Sequence, residues 1–152
     1  MGGELFVMDD GWFGDKYPRK NDSSSLGDWV VDKNKLPNGI EGLLSDAKKH
    51  GVKFGIWIEP EMANTTSELY EKHPDWVLKA SERDVVLGRG GTQVVLDLAN
   101  PAVQDFVFGV VDNLMTSYPE IDYIKWDANM SVQNHGSQYL TKDNQSHMYI
   151  EF

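Results

Sequence analysis

Three short apolar runs set the plan of this chain: Leu5-Phe6-Val7-Met8, Val52 to Ile58, and Tyr123-Ile124-Lys125-Trp126. None alternates apolar with polar residues as a sheet with one wet face requires, so each reads as a buried strand. Helical patterns separate them. Ile40, Leu43, Leu44 and Ala47 recur at i, i+3, i+4 and i+7, one face of a helix near 40–50. Lys48, Lys49 and His50 suit the negative end of that helix, and Gly51 is placed to stop it. Asn100 and Pro101 open a second helix near 101–117, striped by Val103, Phe106, Val107, Val110, Val111 and Leu114 and ended by Pro119. Strands near 4–9, 52–58 and 121–127 joined in this way are β-α-β units. They predict an α/β protein with a parallel sheet covered by helices.

The long connection between the second and third strands has its own pattern. A short helix is predicted from a Thr65–Ser67 cap through Leu69 and Tyr70 to Pro74. Trp76-Val77-Leu78 and Gln93 to Leu98, with Gly88, Gly90 and Gly91 between them, predict a local hairpin. There is no fixed-period repeat, low-complexity tract or interdomain linker. The polar stretch from Ser131 ends in Tyr149-Ile150-Glu151-Phe152, which reads as the start of a helix. Three parallel strands with open edges are a poor stopping point for a fold, so the expectation is a fragment.

Composition narrows the function. The 152 residues carry 24 acidic and 14 basic side chains, a formal charge of −10, which argues against nucleic acid or an anionic membrane as partner. No apolar run is long enough to span a bilayer, and the N-terminus lacks a signal-peptide pattern. With no cysteine there is no disulfide or thiolate metal site, which fits a reducing, cytoplasmic setting. His50, His73, His135 and His147 have no metal-like spacing, and the stretch Gly88 to Gly91 lacks the Lys-Ser/Thr of a phosphate-binding loop. Neither a metal nor an organic cofactor is implied. A neutral small molecule is the expected ligand.

Each strand ends in the same kind of chemistry: Asp9-Asp10-Gly11-Trp12-Phe13-Gly14, then Trp57-Ile58-Glu59-Pro60-Glu61, then Lys125-Trp126-Asp127-Ala128-Asn129. Parallel α/β folds place their sites where strands end at the carboxyl edge. Carboxylates there accept pairs of sugar hydroxyls, and an indole covers the apolar side of a pyranose, so the combination suits a carbohydrate. Simpler readings exist: Asp-Asp-Gly as a turn, Glu-Pro-Glu as an exposed strand end, Trp29 and Trp76 as core or surface cover. The third strand is harder to dismiss. Lys125 and Asp127 are two apart and point the same way on an extended chain, with Trp126 turned away. A neighbouring ammonium would hold Asp127 ionised, as a nucleophile requires.

These motifs, together with Ser25-Leu26-Gly27-Asp28-Trp29, Leu36-Pro37-Asn38-Gly39 and Gly55-Ile56-Trp57-Ile58-Glu59-Pro60-Glu61-Met62, closely resemble glycoside hydrolase family 36 α-galactosidases, in the same order from residue 4 to about 129. The resemblance implies a retaining α-galactosidase on a (β/α)8 TIM barrel. It implies that residues 1–152 form part of that barrel, approximately its second to fourth strands with their helices, and that the other strands and the flanking β domains are absent. By the same resemblance Asp127 is the catalytic nucleophile. Asp9 and Asp10 bind galactose hydroxyls, including the axial one, and Trp57, Arg89, Lys125 and Asn129 complete the sugar pocket. The family's acid/base is an aspartate downstream of this chain, so the chain by itself is expected to be inactive.

Several alternatives stay open. A related α-N-acetylgalactosaminidase or raffinose-type galactosyltransferase would share the nucleophile. A non-catalytic galactose-binding module would keep the pocket without turnover, and Glu59 could pair with Asp127 as a different carboxylate couple. Homo-oligomerisation of the parent enzyme is likewise open.

Overall fold

The computed structural model describes residues 2–133 and 135–147. The chain runs β1 (Leu5–Met8), α1 (Gly39–Lys49), β2 (Lys53–Ile58), β3 (Met62–Asn64), α2 (Glu68–Lys72), β4 (Gln93–Val95), α3 (Pro101–Ser117) and β5 (Tyr123–Trp126), with 3-10 segments at Pro74–Trp76 and Lys142–His147. The terminal helix expected around Tyr149 lies outside the described residues. β1, β2 and β5 form a parallel sheet in that order, with Met8, Ile56 and Ile124 in register across it. Each crossover passes through a helix, α1 in the first and α3 in the second. An antiparallel β1–β2 pair would have ended the β-α-β reading. The pair is parallel.

Packing explains why the apolar runs do not alternate. Phe54, Ile56 and Ile58 of β2 are at most 2% exposed and share one apolar cluster with Ile40 and Leu44 of α1 and Val110 and Leu114 of α3. Trp57, between two of them, is equally buried and belongs to the same cluster, in contact with Phe13 and Trp29. Each large side chain removed from water in this way contributes roughly 1.5–3 kcal/mol.

The helix ends follow the predicted punctuation. At the end of α1, Gly51 takes φ +66°, its N–H reaches Lys48 O at 3.1 Å, and the Val52 N–H reaches Ala47 O at 3.0 Å. This left-handed stop satisfies two of the free helix carbonyls. The Asn100 side chain accepts from Ala102 N at 3.0 Å to open α3, and Ser67 Oγ accepts from Tyr70 N at 3.0 Å to open α2. α2 has a second cap: the Asp28 carboxylate accepts from Glu68 N and Leu69 N.

The long connection carries the expected hairpin only in part, as antiparallel bridges Val77 to Leu96 and Gly88 to Gln93, and adds a strand that was not expected. Gln93–Val95 pairs antiparallel with Met62–Asn64, and the Trp76–Leu78 run meets it through a single bridge, Val77 to Leu96. The reason lies at Pro60. Having no N–H, it cannot continue the β2 ladder. The chain turns there, Met62 N reaching back to Glu59 O, and residues 62–64 run out beside 93–95.

Candidate active site

The end of β1 places its two carboxylates differently. Asp9 accepts from Lys125 Nζ at 2.8 Å and from Asp10 N at 2.8 Å. The Lys125 hydrogen bond, then the Asp10 amide, hold its carboxyl below the usual aspartate range. Asp10 is gripped on both oxygens by Arg19, with Nε at 2.9 Å and Nη2 at 2.7 Å. The Arg19 side chain is 4% exposed, and its Nη1 also donates to Ser24 O and to Asn64 Oδ1. Asn64, fully buried in β3, further accepts from Leu26 N and donates to Asp22 O and Thr92 O. The loop after β1 is thereby tied to β3 and to the start of β4. Asp-Asp-Gly does turn, with Gly11 at φ +104°, but the turn also presents two engaged carboxylates.

β2 and β5 converge on Asp127. The Asp127 N–H donates to Ile58 O at 2.8 Å, extending the parallel ladder one step beyond β5 and fixing where the side chain emerges. Trp57 Nε1 donates to Asp127 Oδ2 at 3.0 Å, and Ala128 N approaches Oδ1 at 3.2 Å. Trp57 is itself held, since Trp12 Nε1 donates to its carbonyl at 2.9 Å. Asp127 stays below the ordinary aspartate range, first through hydrogen bonding from the Asn129 side chain, then from Trp57, with the Lys125 charge a lesser influence.

The Lys125 charge acts on Asp127 in the expected direction, but it ranks behind the hydrogen bonds. The direct ion pair of Lys125 is with Asp9, not Asp127, because the side chain reaches across the end of β2 to the carboxylate that follows β1. Trp126 is turned elsewhere, its Nε1 donating to Glu61 at 2.8 Å. Glu59 is no exposed strand end. It is 2% exposed and accepts from both Asn129 N and Asn129 Nδ2, at 2.8 and 2.9 Å.

Asp9, Trp57, Lys125, Asp127 and Asn129 therefore meet at one edge of the sheet, and the Asp127 charge is near enough to oppose ionisation of Asp9. The edge is open: the side chains of Asp9 and Lys125 are 64% and 42% exposed. A cleft of about 750 Å³ lies elsewhere, beside α2 and α3 and lined by Trp29, Leu69, Trp76, Phe106 and Tyr118. Arg89 is bound to Asp22 at 2.8 Å, and its charge is felt by Glu59. Arg19 and Asn64 are site-shaping residues with no local sequence signal, since they are tied to each other across 45 residues; Glu59 stands in a strand-end motif, but its pairing with Asn129 was not legible. Among the described residues, no three His, Cys, Asp or Glu side chains are grouped as a metal site requires. No helix among them is long and apolar enough to cross a membrane.

The Melibiase family model matches residues 1–151. A probable α-galactosidase C of Aspergillus flavus is 47% identical over 139 residues, 87% of this chain and 18% of that protein. The α-galactosidase AgaA of Geobacillus stearothermophilus is 44% identical over 153 residues, 99% of this chain and 20% of its own length. A crystal structure of an AgaA variant in complex with raffinose matches 97% of this chain and 20% of that one, with a TM-score of 0.88 at 42% identity. The chain thus spans about a fifth of the length of these relatives. Matched along nearly all of its sequence, and similar in backbone to a solved α-galactosidase, the chain belongs to the Melibiase family.

Proposed function

We propose that this chain is the nucleophile-bearing part of a retaining α-galactosidase that removes terminal non-reducing α-galactose from galactosides such as melibiose and raffinose. It supplies approximately the second to fourth strands of a (β/α)8 barrel in a cytoplasmic enzyme that needs no cofactor. Asp127 is the nucleophile. Its oxygen bonds to the anomeric carbon as the bond to the leaving oxygen breaks and an acid outside these residues protonates that oxygen. The same group, now a base, takes a proton from water. Attack of that water on the anomeric carbon breaks the bond to Asp127 and restores its carboxylate.

The observation that carries this reading is the setting of Asp127. A nucleophilic carboxylate must be ionised and aimed, and Asp127 is kept ionised by donors from Asn129 and Trp57 on an open strand edge. Asp9 and Asp10 bind sugar hydroxyls. Each retains lone pairs beyond those taken by Lys125 and Arg19, since an ionised carboxylate offers about four acceptor positions. Lys125, Asn129, Trp57 and Arg89 complete the sugar site. Glu59, buried and held through Oε1 by Asn129, is badly placed to act as a second catalytic carboxylate. A related N-acetylgalactosaminidase or galactosyltransferase would share Asp127.

Azide tests the assignment in the full-length protein that carries this chain. Asp127→Gly is expected to lower kcat by on the order of 10⁴-fold or more. With an activated α-galactoside and azide, the variant should then form β-galactosyl azide, because the ion enters from the face the carboxylate occupied. Retained activity, or an inactive variant that azide does not rescue, would reject Asp127 as the nucleophile.

A further inference from the structure

Glu59 is a carboxylate at the end of β2 for which the two-step chemistry has no task, and it is placed unlike its neighbours. It is 2% exposed, where a carboxylate is costly to keep without partners. Its partners come from one residue: Oε1 accepts the main-chain N–H of Asn129 at 2.8 Å and the side-chain Nδ2 of the same residue at 2.9 Å. Nδ2 carries two hydrogens and is the sole donor of that side chain. Asn129 stands two residues beyond Asp127, whose carboxyl is lowered first by the Asn129 side chain, so the amide that Glu59 holds also acts on the open carboxylate. Asn129 itself is exposed, and an exposed carboxamide without an anchor rotates freely between its oxygen and nitrogen faces. With main chain and side chain held by one oxygen, a flip would set the amide oxygen against Glu59.

We propose that Glu59 is a positioning residue for the galactosidase reaction: its buried carboxylate grips Asn129 so that the carboxamide points its second N–H at Asp127. The inference rests on the reading of Asp127 as nucleophile. Other charges reach the pair. Lys125 favours ionised Asp127, Asp9 and Asp127 repel one another, and Arg89 acts on Glu59. Of these, Lys125 has its direct ion pair with Asp9, so it does not replace the missing donor. Burial, aided by the Asp127 charge, raises the Glu59 carboxyl, and the two Asn129 donors oppose that rise. The contact is therefore worth something to both residues.

The test is the pH profile of kcat/KM in the full-length protein. Asp127 must be ionised to attack, so its pKa sets the acidic limb, and losing a donor to the carboxylate raises that pKa. Glu59→Ala should move the acidic limb to higher pH and lower kcat by about tenfold or more. Glu59→Gln, which keeps an acceptor oxygen against Asn129, should return the limb toward wild type. In an Asn129→Ala background, Glu59→Ala should add little, because the residue through which it acts is gone. An unmoved limb in a folded Glu59→Ala protein, or full additivity with Asn129→Ala, would overturn the proposal. Should Glu59→Ala fail to fold, Glu59→Asp, whose shorter side chain withdraws the carboxylate from Asn129, should move the limb upward, and an unmoved limb there would do the same. The azide experiment on Asp127→Gly separates the two failures: rescue with an unmoved limb rejects the role of Glu59, and failed rescue rejects the nucleophile.

Discussion

Arg19 lies in a polar loop with no motif around it, yet it holds Asp10 by both oxygens and reaches Asn64 and Ser24 with its remaining amino group. Breaking a buried ion pair from one side costs about 3–5 kcal/mol, because the other charge is left without its partner. Asp10 keeps 30% of its side chain in water, which argues for the lower end of that range. Arg19→Met should therefore destabilise the full-length protein by about 3 kcal/mol in urea unfolding. If Asp10 binds the sugar as proposed, it should also weaken galactoside binding, because Asp10 is no longer aimed. A variant as stable as wild type would show that the loop is held by its backbone bonds instead. At this scale the sequence was partly legible. Asp9, Asp127 and Asn129 stand in short motifs at strand ends, where topology brings functional groups together. Arg19 and Glu59 are shaped by contacts 45 and 70 residues away, and a single sequence carries no local trace of such pairings. The two-residue spacing of Lys125 and Asp127 suggested an ion pair within one strand, but the parallel register supplied a nearer carboxylate from β1.

For whole elements, local chemistry and tertiary packing agree in α1 and α3, and their ends fall within a residue of the periodic patterns. Asn100, Pro101 and Gly51 are strong because each solves a backbone problem by itself: an unpaired N–H, an absent one, and a left-handed turn. β3 and β4 had no such signal. Each is three residues long, and their pairing depends on a turn at Pro60 and a return some thirty positions later. Trp76-Val77-Leu78 looked like a strand through composition, and it lies along the edge of β4 opposite β3, where Leu78 N donates to Val95 O and Asp97 N to Trp76 O around the one Val77–Leu96 bridge; the 3-10 turn at Pro74–Trp76 ends the pairing there. The helix chemistry gives a paired prediction for α3. Asn100→Ala removes the acceptor for Ala102 N and should cost about 1 kcal/mol. Gly109 lies inside α3, and a Cβ added there meets nothing within 4 Å, so Gly109→Ala should gain roughly 0.5–1 kcal/mol. Urea midpoints of the two variants in the full-length protein should move in opposite directions. A loss of stability in Gly109→Ala would show that the glycine is needed for a contact made outside this chain.

At the scale of the molecule, the sheet has β1 and β5 as its outer strands, and their side chains face water to an unusual degree. Leu5, Phe6, Tyr123 and Trp126 are 42%, 53%, 50% and 45% exposed. Unpaired strand edges bearing large apolar side chains invite association with other chains. The same geometry leaves Asp127 on an open edge, where water competes for every hydrogen bond that a sugar would make. In the proposed reaction the leaving oxygen also needs a proton from a group outside these residues. Its loss costs about 10²–10⁴-fold on a natural sugar leaving group and much less on fluoride, which departs unprotonated. The isolated 152-residue chain should therefore show negligible hydrolysis of melibiose or raffinose and should self-associate in analytical ultracentrifugation. Its folded fraction, incubated with α-galactosyl fluoride, should gain the mass of one galactosyl group on the peptide that contains Asp127. The label should persist, because in the proposed reaction the group that would activate water for its release also lies outside these residues. Asp127→Asn should abolish the label. Brisk turnover of raffinose by the purified chain would place a sufficient acid within these residues and refute the division of labour proposed here. A label on another residue would leave the division intact and move the nucleophile.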